Sequence, residues 1–331
     1  MSKIRKLYYF DKKNTKDMIS VLNNGEQDFG LSNTLFNPFL LLHYLLPLKI
    51  KFLPESFVFK DKKSIKGLIT VVPSKYPLKQ MEIEKLLFEE NNYEIAGELI
   101  QYAVSKYKAM GTASVIVRVD DCLPELIKLF ISRCGFSQIS YEKIWKINRI
   151  KKHHYDKKSF RPFRNSDSGA VSNLYNDSLL PHFRPLLGKD LKEFKETFFK
   201  GLSYCSEYKY VMEDRQTKNI IALVTIKTSD NKNYFIDIVQ SSWVEININE
   251  ILSFARDQIR KRKKRANIFI KTKRYLQNSD KTEQEFVNNR FVCIKNQVVL
   301  TNSSAKIIKT GENSKRFTVL SGLYTGMGVI N

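Results

Sequence analysis

Hydrophobic residues in the first half of the chain form short runs and longer periodic stretches that predict alternating strands and helices. The clearest helix covers Ile95–Met110, where apolar side chains recur with helical spacing until Gly111 ends the pattern. Ser114–Val119 is a β-branched run typical of a buried strand. The predicted order is a strand at Lys6–Phe10, helices at Thr15–Leu22 and Phe36–Leu46, strands at Ser56–Lys60, Gly67–Val72 and Met81–Phe88, a helix at Ile95–Met110, a strand at Ser114–Val119, a helix at Pro124–Cys134 and a strand at Phe136–Ile147.

The second half repeats this order of elements. It has a strand at Phe160–Arg164, helices at Ser168–Leu179 and Leu191–Phe199, strands at Tyr208–Glu213, Asn219–Lys227 and Tyr234–Gln240, a helix at Ile248–Lys264, a strand at Asn267–Thr272, a helix at Thr282–Asn288 and a strand at Phe291–Thr301. The predicted fold class is α/β with mixed sheets, in two tandem domains that each run β-α-α-β-β-β-α-β-α-β. We place the domains at residues 1–150 and 159–302, with a charged linker at 151–158 and a tail at 303–331.

One segment of the first half carries a family likeness. Between Met81 and Ile147 a strand leads into a long helix ending Lys-Ala-Met-Gly, and a buried strand and a helix ending Cys134-Gly135-Phe136 follow. This segment resembles the GNAT N-acetyltransferase superfamily, whose members commonly end that helix with Gly-Phe. In the second half Asn289-Arg290-Phe291 has the same place, with Arg290 where the family has Gly. The chain therefore resembles a tandem GNAT protein.

The resemblance implies acetyl-CoA or another acyl-CoA as cofactor. In that family the pantetheine arm lies between the fourth and fifth strands, and the pyrophosphate contacts backbone N–H groups at the start of the next helix. In the first half the residues placed around it are Leu86, Leu87, Asn92, Tyr93, Ile95, Ala96 and Gly97.

Neither half keeps the family's glycine-rich loop, Arg/Gln-x-x-Gly-x-Gly/Ala. Asn91–Gly97 takes its place in the first half and Val244–Asn249 in the second. At each loop a Glu also follows an Asn by three residues, Glu94 after Asn91 and Glu250 after Asn247. This is a near capping box, whose carboxylate competes with pyrophosphate for the same N–H groups. The small residues Ala96 and Gly97 make the first half the better candidate for acyl-CoA. A helix that is simply well capped is the alternative in both halves.

Acyl transfer to an amine uses a base for the amine and an acid for the leaving thiolate. Glu82 and Glu84 are candidate bases, because the family often places its base on this strand and alternation puts both on one face. Asp237 lies on the matching strand of the second half. The family's tyrosine acid is replaced by Ile131 and Phe286. The resemblance thus implies an N-acyltransferase with weak or lost activity, and a solvated strand face is the alternative for the two glutamates.

The chain has 56 Lys and Arg against 34 Asp and Glu, a formal net charge of +22, although 41 of the basic residues are Lys. Such an excess favours anionic partners. The densest basic run lies at the end of a predicted helix, and we call it the basic patch: Arg260, Lys261, Arg262, Lys263, Lys264 and Arg265. It is a candidate docking site for RNA, DNA or an acidic protein, which gives an alternative function as a non-catalytic scaffold or binding protein. Cations that match the helix dipole are the simpler interpretation.

Cysteine and histidine do not predict a metal site. The four cysteines, Cys122, Cys134, Cys205 and Cys293, form no CxxC pair, and His153-His154 belongs to the linker. Scattered cysteines, no apolar signal segment and no long apolar run predict a cytoplasmic protein without a membrane span. No motif identifies the acceptor amine.

Overall fold

The computed structural model describes residues 3–8, 11, 15, 54–61, 64–73, 80–89, 91–150, 153–196, 206–303, 305–309 and 317–321. Apart from Thr15, the predicted helices Thr15–Leu22 and Phe36–Leu46 lie outside these residues, as does the end of the predicted helix Leu191–Phe199. The first strand covers Ile4–Lys6, where Lys6–Phe10 is predicted.

The other predicted strands and helices are present, with ends shifted by a few residues. The strands are β1 (Ile4–Lys6), β2 (Glu55–Asp61), β3 (Ser64–Pro73), β4 (Gln80–Phe88), β5 (Ser114–Asp120), β6 (Ser137–Ile147), β7 (Phe160–Pro162), β8 (Ser206–Glu213), β9 (Ile220–Thr228), β10 (Asn233–Gln240), β11 (Asn267–Lys273), β12 (Val292–Ser303), β13 (Ala305–Lys309) and β14 (Phe317–Ser321). The helices are α1 (Tyr93–Ala109), α2 (Pro124–Lys128), α3 (Ser168–Ser178), α4 (Arg184–Leu187), α5 (Leu191–Phe194), α6 (Ile248–Arg262) and α7 (Ser279–Asn288). A π-helical turn, Leu129–Arg133, continues α2.

Helix α1 buries the face that the periodic pattern predicts. Ile95, Leu99 and Ala103 on that face belong to the core of the first half. The Asn92 side chain caps the helix by accepting a hydrogen bond from the N–H of Ile95. After the helix, Gly111 has a φ of 91°, a conformation that glycine adopts without steric cost.

Among the described residues, twelve strands form one sheet in the order β1-β2-β3-β4-β5-β12-β6-β11-β10-β9-β8-β7. The last strand of each half is exchanged: β12 pairs with β5 of the first half, and β6 pairs with β11 of the second. The exchanged strands also pair with each other, with Gln297 opposite Glu142. Each half therefore needs the other to complete its part of the sheet.

Three buried clusters cover the two faces of this sheet. On one face, α1 packs on the strands of the first half and α6 on those of the second. On the other face, α3, α4 and α5 cover a cluster that contains Ile116 and Val299 together with Leu223 and Val239. Because that cluster draws on strands of both halves, the core is continuous across the middle of the sheet.

The described part of the predicted linker packs against α6. The Tyr155 ring lies edge-on to Phe160 and Phe254, with centroids 5.9 and 5.8 Å away. Its hydroxyl donates to Asp257 at 3.0 Å. This segment therefore contributes to the packing of the second half, although composition indicates only a charged connection.

In the predicted tail, β13 and β14 pair with each other antiparallel. Within the described ranges no three His, Cys, Asp or Glu side chains come together as a metal site. No helix among the same residues is long and apolar enough to cross a membrane.

Candidate functional site

A gap opens between the two central parallel strands of each half. In the first half β4 and β5 pair only as far as Ile83 and Val117. In the second half β10 and β11 pair only as far as Ile236 and Ile270. Beyond these points both strand pairs continue without hydrogen bonds to each other. An extended ligand could therefore lie between them.

The gap of the second half contains two adjoining cavities. The inner one, about 40 Å³, lies between the strands and has apolar walls that include Ile238, Ile270 and Phe286. The outer one, about 250 Å³, lies between the loop 242–246 and helix α7. Gln240 and Thr282 line both cavities. Together they form one groove, which we call the second-half groove, from the sheet to the start of α6.

Several polar groups in this groove lack partners. The Gln240 Oε1 and Ser242 Oγ atoms are buried and make no hydrogen bond among the described residues. The Asn247 side chain caps α6 by accepting from the N–H of Asn249. Across the described part of the chain, the backbone N–H groups of residues 244–248 donate no hydrogen bond. The groove therefore offers unpaired acceptors at one end and unpaired donors at the other.

The cofactor residues predicted in the first half lie around the start of α1. Leu86 packs on the core, and the ring of Tyr93 lies 5.5 Å from that of Phe88. Ile95 and Ala96 are buried in the core. The remaining predicted members are Leu87, which is half-buried on β4, Asn92, which caps the helix, and Gly97, where an added Cβ would lie 3.6 Å from Leu129. The structure brings these residues together, and their binding of acyl-CoA stays a prediction.

The two candidate bases of the first half differ in their surroundings. Glu82 forms an ion pair with Arg118. Burial opposes its ionisation, but the charges of Arg118 and Lys271 and the hydrogen bond from Arg118 together outweigh burial and lower the pKa of the Glu82 carboxyl. Glu84 is exposed and is the extra residue of a β-bulge, because Ile83 and Lys85 face consecutive residues of β3. The bulge interrupts the alternation that would place both glutamates on one face.

A buried charge network that the sequence does not predict lies at the centre of the sheet. Glu142, on exchanged strand β6, is fully buried and forms ion pairs with Arg118 Nε and Lys271 Nζ, each at 2.8 Å. The Tyr275 hydroxyl also donates to it at 2.8 Å. Burial opposes ionisation of Glu142, but Lys271 and Arg118 outweigh burial and hold its pKa well below the ordinary value. The sequence hints at this network only through single charged residues within otherwise apolar strands, such as Arg118 in Ser114–Asp120.

Asp237, the candidate base of the second half, lies beside this network. Lys273 Nζ contacts both of its carboxylate oxygens, at 2.8 and 2.7 Å. Burial opposes ionisation of Asp237, but Lys273 outweighs it and lowers the pKa of the carboxyl. Asp237 is therefore held as an ion-paired carboxylate.

Several solved structures are similar to the fold of this chain. No family model and no curated protein matches it. A tandem GNAT protein from the clavulanic acid biosynthesis pathway aligns with a TM-score of 0.60 at 9% identity, over 91% of this chain and 98% of that chain. A GCN5-related N-acetyltransferase from Sphaerobacter thermophilus gives 0.60 at 10% identity, over 91% and 95%. The chain has a tandem GNAT fold. Saccharomyces cerevisiae N-myristoyltransferase, with bound myristoyl-CoA, also resembles this tandem GNAT fold, with a TM-score of 0.53 at 10% identity over 92% and 79%.

The tandem GNAT fold confirms both the fold class predicted from the order of elements and the resemblance to the GNAT superfamily. Gly135 and Arg290, which align in the two halves, have φ values of 69° and 59°. Arg290 thus adopts the left-handed conformation that glycine prefers. At the family's tyrosine position Ile131 is exposed on the surface, whereas Phe286 is buried and lines the second-half groove.

In this tandem GNAT fold the basic patch lies at the C-terminal end of α6. All six of its residues are exposed. Arg262 is held in place, since its guanidinium lies 3.9 Å from the centre of the Tyr208 ring and donates to the Tyr210 hydroxyl at 3.0 Å. Among the described residues no carboxylate pairs with the patch, because nearby Asp257 pairs with Arg256.

Proposed function

We propose that the chain is an acyl-CoA-dependent N-acyltransferase that holds its coenzyme in the second-half groove. The observation that carries the proposal is the parting of β10 and β11 around two adjoining cavities with unpaired polar groups. The tandem GNAT fold adds support. Ala96 and Gly97 favour the first half on sequence grounds, but the cavities and the buried unpaired oxygens described lie in the second half.

The residues of the groove suit an extended, amide-containing arm that ends in phosphates. Beyond Ile236 the edge of β10 that faces β11 has no strand partner, so its backbone can pair with amides in the manner of an added strand. Gln240 Oε1 and Ser242 Oγ are acceptors for N–H groups. The free N–H groups of residues 244–248, at the positive end of α6, would take the pyrophosphate.

When bound, acyl-CoA supplies a thioester whose carbonyl an amine can attack. The chain contributes mainly by positioning the reactants, because its nearby acid and base candidates are already paired. Asp237 is paired with Lys273, and the Tyr275 hydroxyl donates to Glu142. Burial and the Glu142 charge raise the pKa of Tyr275 far above its ordinary value, which makes it a poor proton donor. The acceptor must therefore arrive as the neutral amine. As the C–N bond forms and the C–S bond breaks, the proton that the amine gives up would go to the departing thiolate. Orientation alone supplies a substantial part of the rate enhancement of such reactions.

Acetyl-CoA should stabilise the protein against thermal unfolding. At a hundredfold excess over Kd, linkage gives about 2.7 kcal/mol. Differential scanning fluorimetry measures the shift in melting temperature. Thr282→Phe, which places a ring in both cavities, should abolish the shift. The matched control is Ile127→Phe, since Ile127 precedes Gly135 by the same number of residues as Thr282 precedes Arg290.

The outcomes separate the two halves. Loss of the shift in Thr282→Phe alone supports the second-half groove. Loss in Ile127→Phe alone would move the coenzyme to the first half, in line with the sequence-based preference. No shift of the wild-type protein at millimolar acetyl-CoA would contradict acyltransfer altogether. The melting temperature of each variant without ligand shows whether it folds.

We also propose that the basic patch docks a nucleic acid through its phosphate backbone. The patch has six exposed cations and no carboxylate partner among the described residues. The patch also lacks exposed apolar neighbours along the described part of the chain. Among the described residues of 192–242 and 245–286, no large hydrophobic side chain is exposed. Protein interfaces are usually built around such apolar anchors, whereas nucleic-acid interfaces are polar and positively charged. Phosphate contacts would make this binding independent of base sequence.

Removing positive charge from the basic patch should weaken nucleic-acid binding and should also make that binding less sensitive to salt. For Lys263→Gln, Lys264→Gln and Arg265→Gln combined, we expect the slope of log K against log salt to fall by up to about 3, because each phosphate contact contributes nearly one unit. Fluorescence anisotropy with a labelled oligonucleotide measures it. The control combines Lys3→Gln, Lys128→Gln and Arg133→Gln, which are exposed residues of the same types. An equal loss in both variants would show that only the overall charge attracts the oligonucleotide.

A further inference from the structure

Trp243 is the most exposed large hydrophobic side chain among the described residues, with 84% of its surface accessible. The chain's other tryptophan, Trp145, is 5% exposed. Trp243 lines the outer cavity of the second-half groove. Since tryptophan is normally largely buried, an indole left open beside a cavity indicates a surface that a ligand covers.

The backbone on both sides of Trp243 is held by hydrogen bonds and an ion pair. Its own N–H donates to the Ser241 hydroxyl at 3.2 Å. Asn278 on the approach to α7 donates to the Ser241 carbonyl at 3.1 Å. On the other side, Glu245 pairs with Lys281 of α7 at 2.6 Å. The loop thus presents the indole to solvent from an anchored position, which limits the entropy lost on binding.

We infer that the indole of Trp243 stacks on the adenine ring of the coenzyme; this inference rests on the proposed acyl-CoA site. Phosphates at the N–H groups of residues 244–248 would place the attached nucleoside outside the outer cavity, beside Trp243. A purine offers the flat π-face that an open indole stacks with. The pairing of Glu245 with Lys281 leaves less negative charge facing the phosphates. The adjoining Val244 is 39% exposed, which adds too little apolar surface for a protein interface.

The experiment compares ligands with and without the base. CoA, adenosine 3′,5′-bisphosphate and 4′-phosphopantetheine are titrated into the wild-type protein, Trp243→Ala and Trp243→Phe, and calorimetry gives Kd. Trp243→Ala should weaken CoA about fivefold to a hundredfold, the range for loss of one base–aromatic stack. Trp243→Phe should recover most of this loss, and 4′-phosphopantetheine should bind all three proteins equally. CoA and the bisphosphate should quench the exposed tryptophan's fluorescence, whereas 4′-phosphopantetheine should not.

The outcomes distinguish this inference from the proposed function. If CoA binds the wild-type protein and Trp243→Ala with the same Kd, the stacking is refuted and the acyl-CoA site stands. If Trp243→Ala weakens 4′-phosphopantetheine as much as CoA, Trp243 shapes the groove and does not contact the base, which also overturns the inference. If neither CoA nor 4′-phosphopantetheine binds the wild-type protein, the proposed function is refuted, and the inference is refuted with it.

Discussion

Expressed separately, residues 1–152 and 153–331 should each fail to show cooperative unfolding. The first fragment lacks β12, whose residues Val299 and Leu300 are fully buried between β5 and β6. The second lacks β6, which brings Trp145 and Ile147 into its core. Each fragment thus has open strand edges and an incomplete core, which leave it prone to aggregation. Urea titration followed by circular dichroism measures the transition.

Co-expression of the two fragments should restore a folded complex, because all strand partners are then present. The control is the intact chain with a protease site inserted between residues 152 and 153. After folding and cleavage, its two pieces should stay associated and unfold close to the uncut protein. A cooperative transition in either fragment alone would show that the exchanged strands are dispensable, and that each half folds as an independent domain.

Glu142→Gln should destabilise the protein by about 3–5 kcal/mol, the usual cost of removing one partner from a buried ion pair. The substitution leaves Arg118 and Lys271 with no full negative charge at Glu142's position. It keeps the shape of the side chain, so packing changes little. The free energy of unfolding in urea measures the effect. The matched control is Glu245→Gln, which removes an exposed partner of Lys281 and should leave the urea midpoint unchanged.

The pH dependence of unfolding gives a second measure of how much the Glu142 carboxylate contributes to stability. The folded-state pKa of Glu142 lies below its ordinary value. The stability that this ionised carboxylate contributes is therefore fully present above the pKa of the unfolded state, near 4.3 in model peptides. It is lost as the pH falls from there through the folded-state pKa. Glu142→Gln should unfold with a weaker dependence on pH in this range. An equal dependence in wild type and variant would place the acid-sensitive groups elsewhere.

Hydrophobic pattern alone predicts most elements of the described fold, because each strand and helix leaves a local signature. Gly111 and Gly135 mark helix ends, and both have positive φ. The exchange of β6 and β12 leaves no such signature. A strand with apolar residues can pair with any compatible edge, and the choice depends on the assembled sheet rather than on spacing along the chain.

The candidate site is harder to predict, because the relevant properties arise only on folding. The sequence indicates a site in the first half, since the small residues Ala96 and Gly97 come nearest to the family's glycine-rich loop, which neither half keeps. The cavities described here lie in the second half, where Gln240 and Ser242 are ordinary polar residues until the fold buries their oxygens without partners. Likewise, only the assembled sheet shows that Arg118 pairs with Glu82.

The position of β12 also bears on how the chain is made. Translation releases residues 1–150 long before Val292–Ser303, the strand that lies beside β5. Throughout that interval the first half has an open edge at β5, and β6 lacks its neighbour β12. Its other neighbour, β11, is also missing until Asn267–Lys273 has been made. Such edges invite wrong pairing with other chains. The nascent chain should therefore depend on chaperones until its final strands emerge, and both halves should then fold in a single late step.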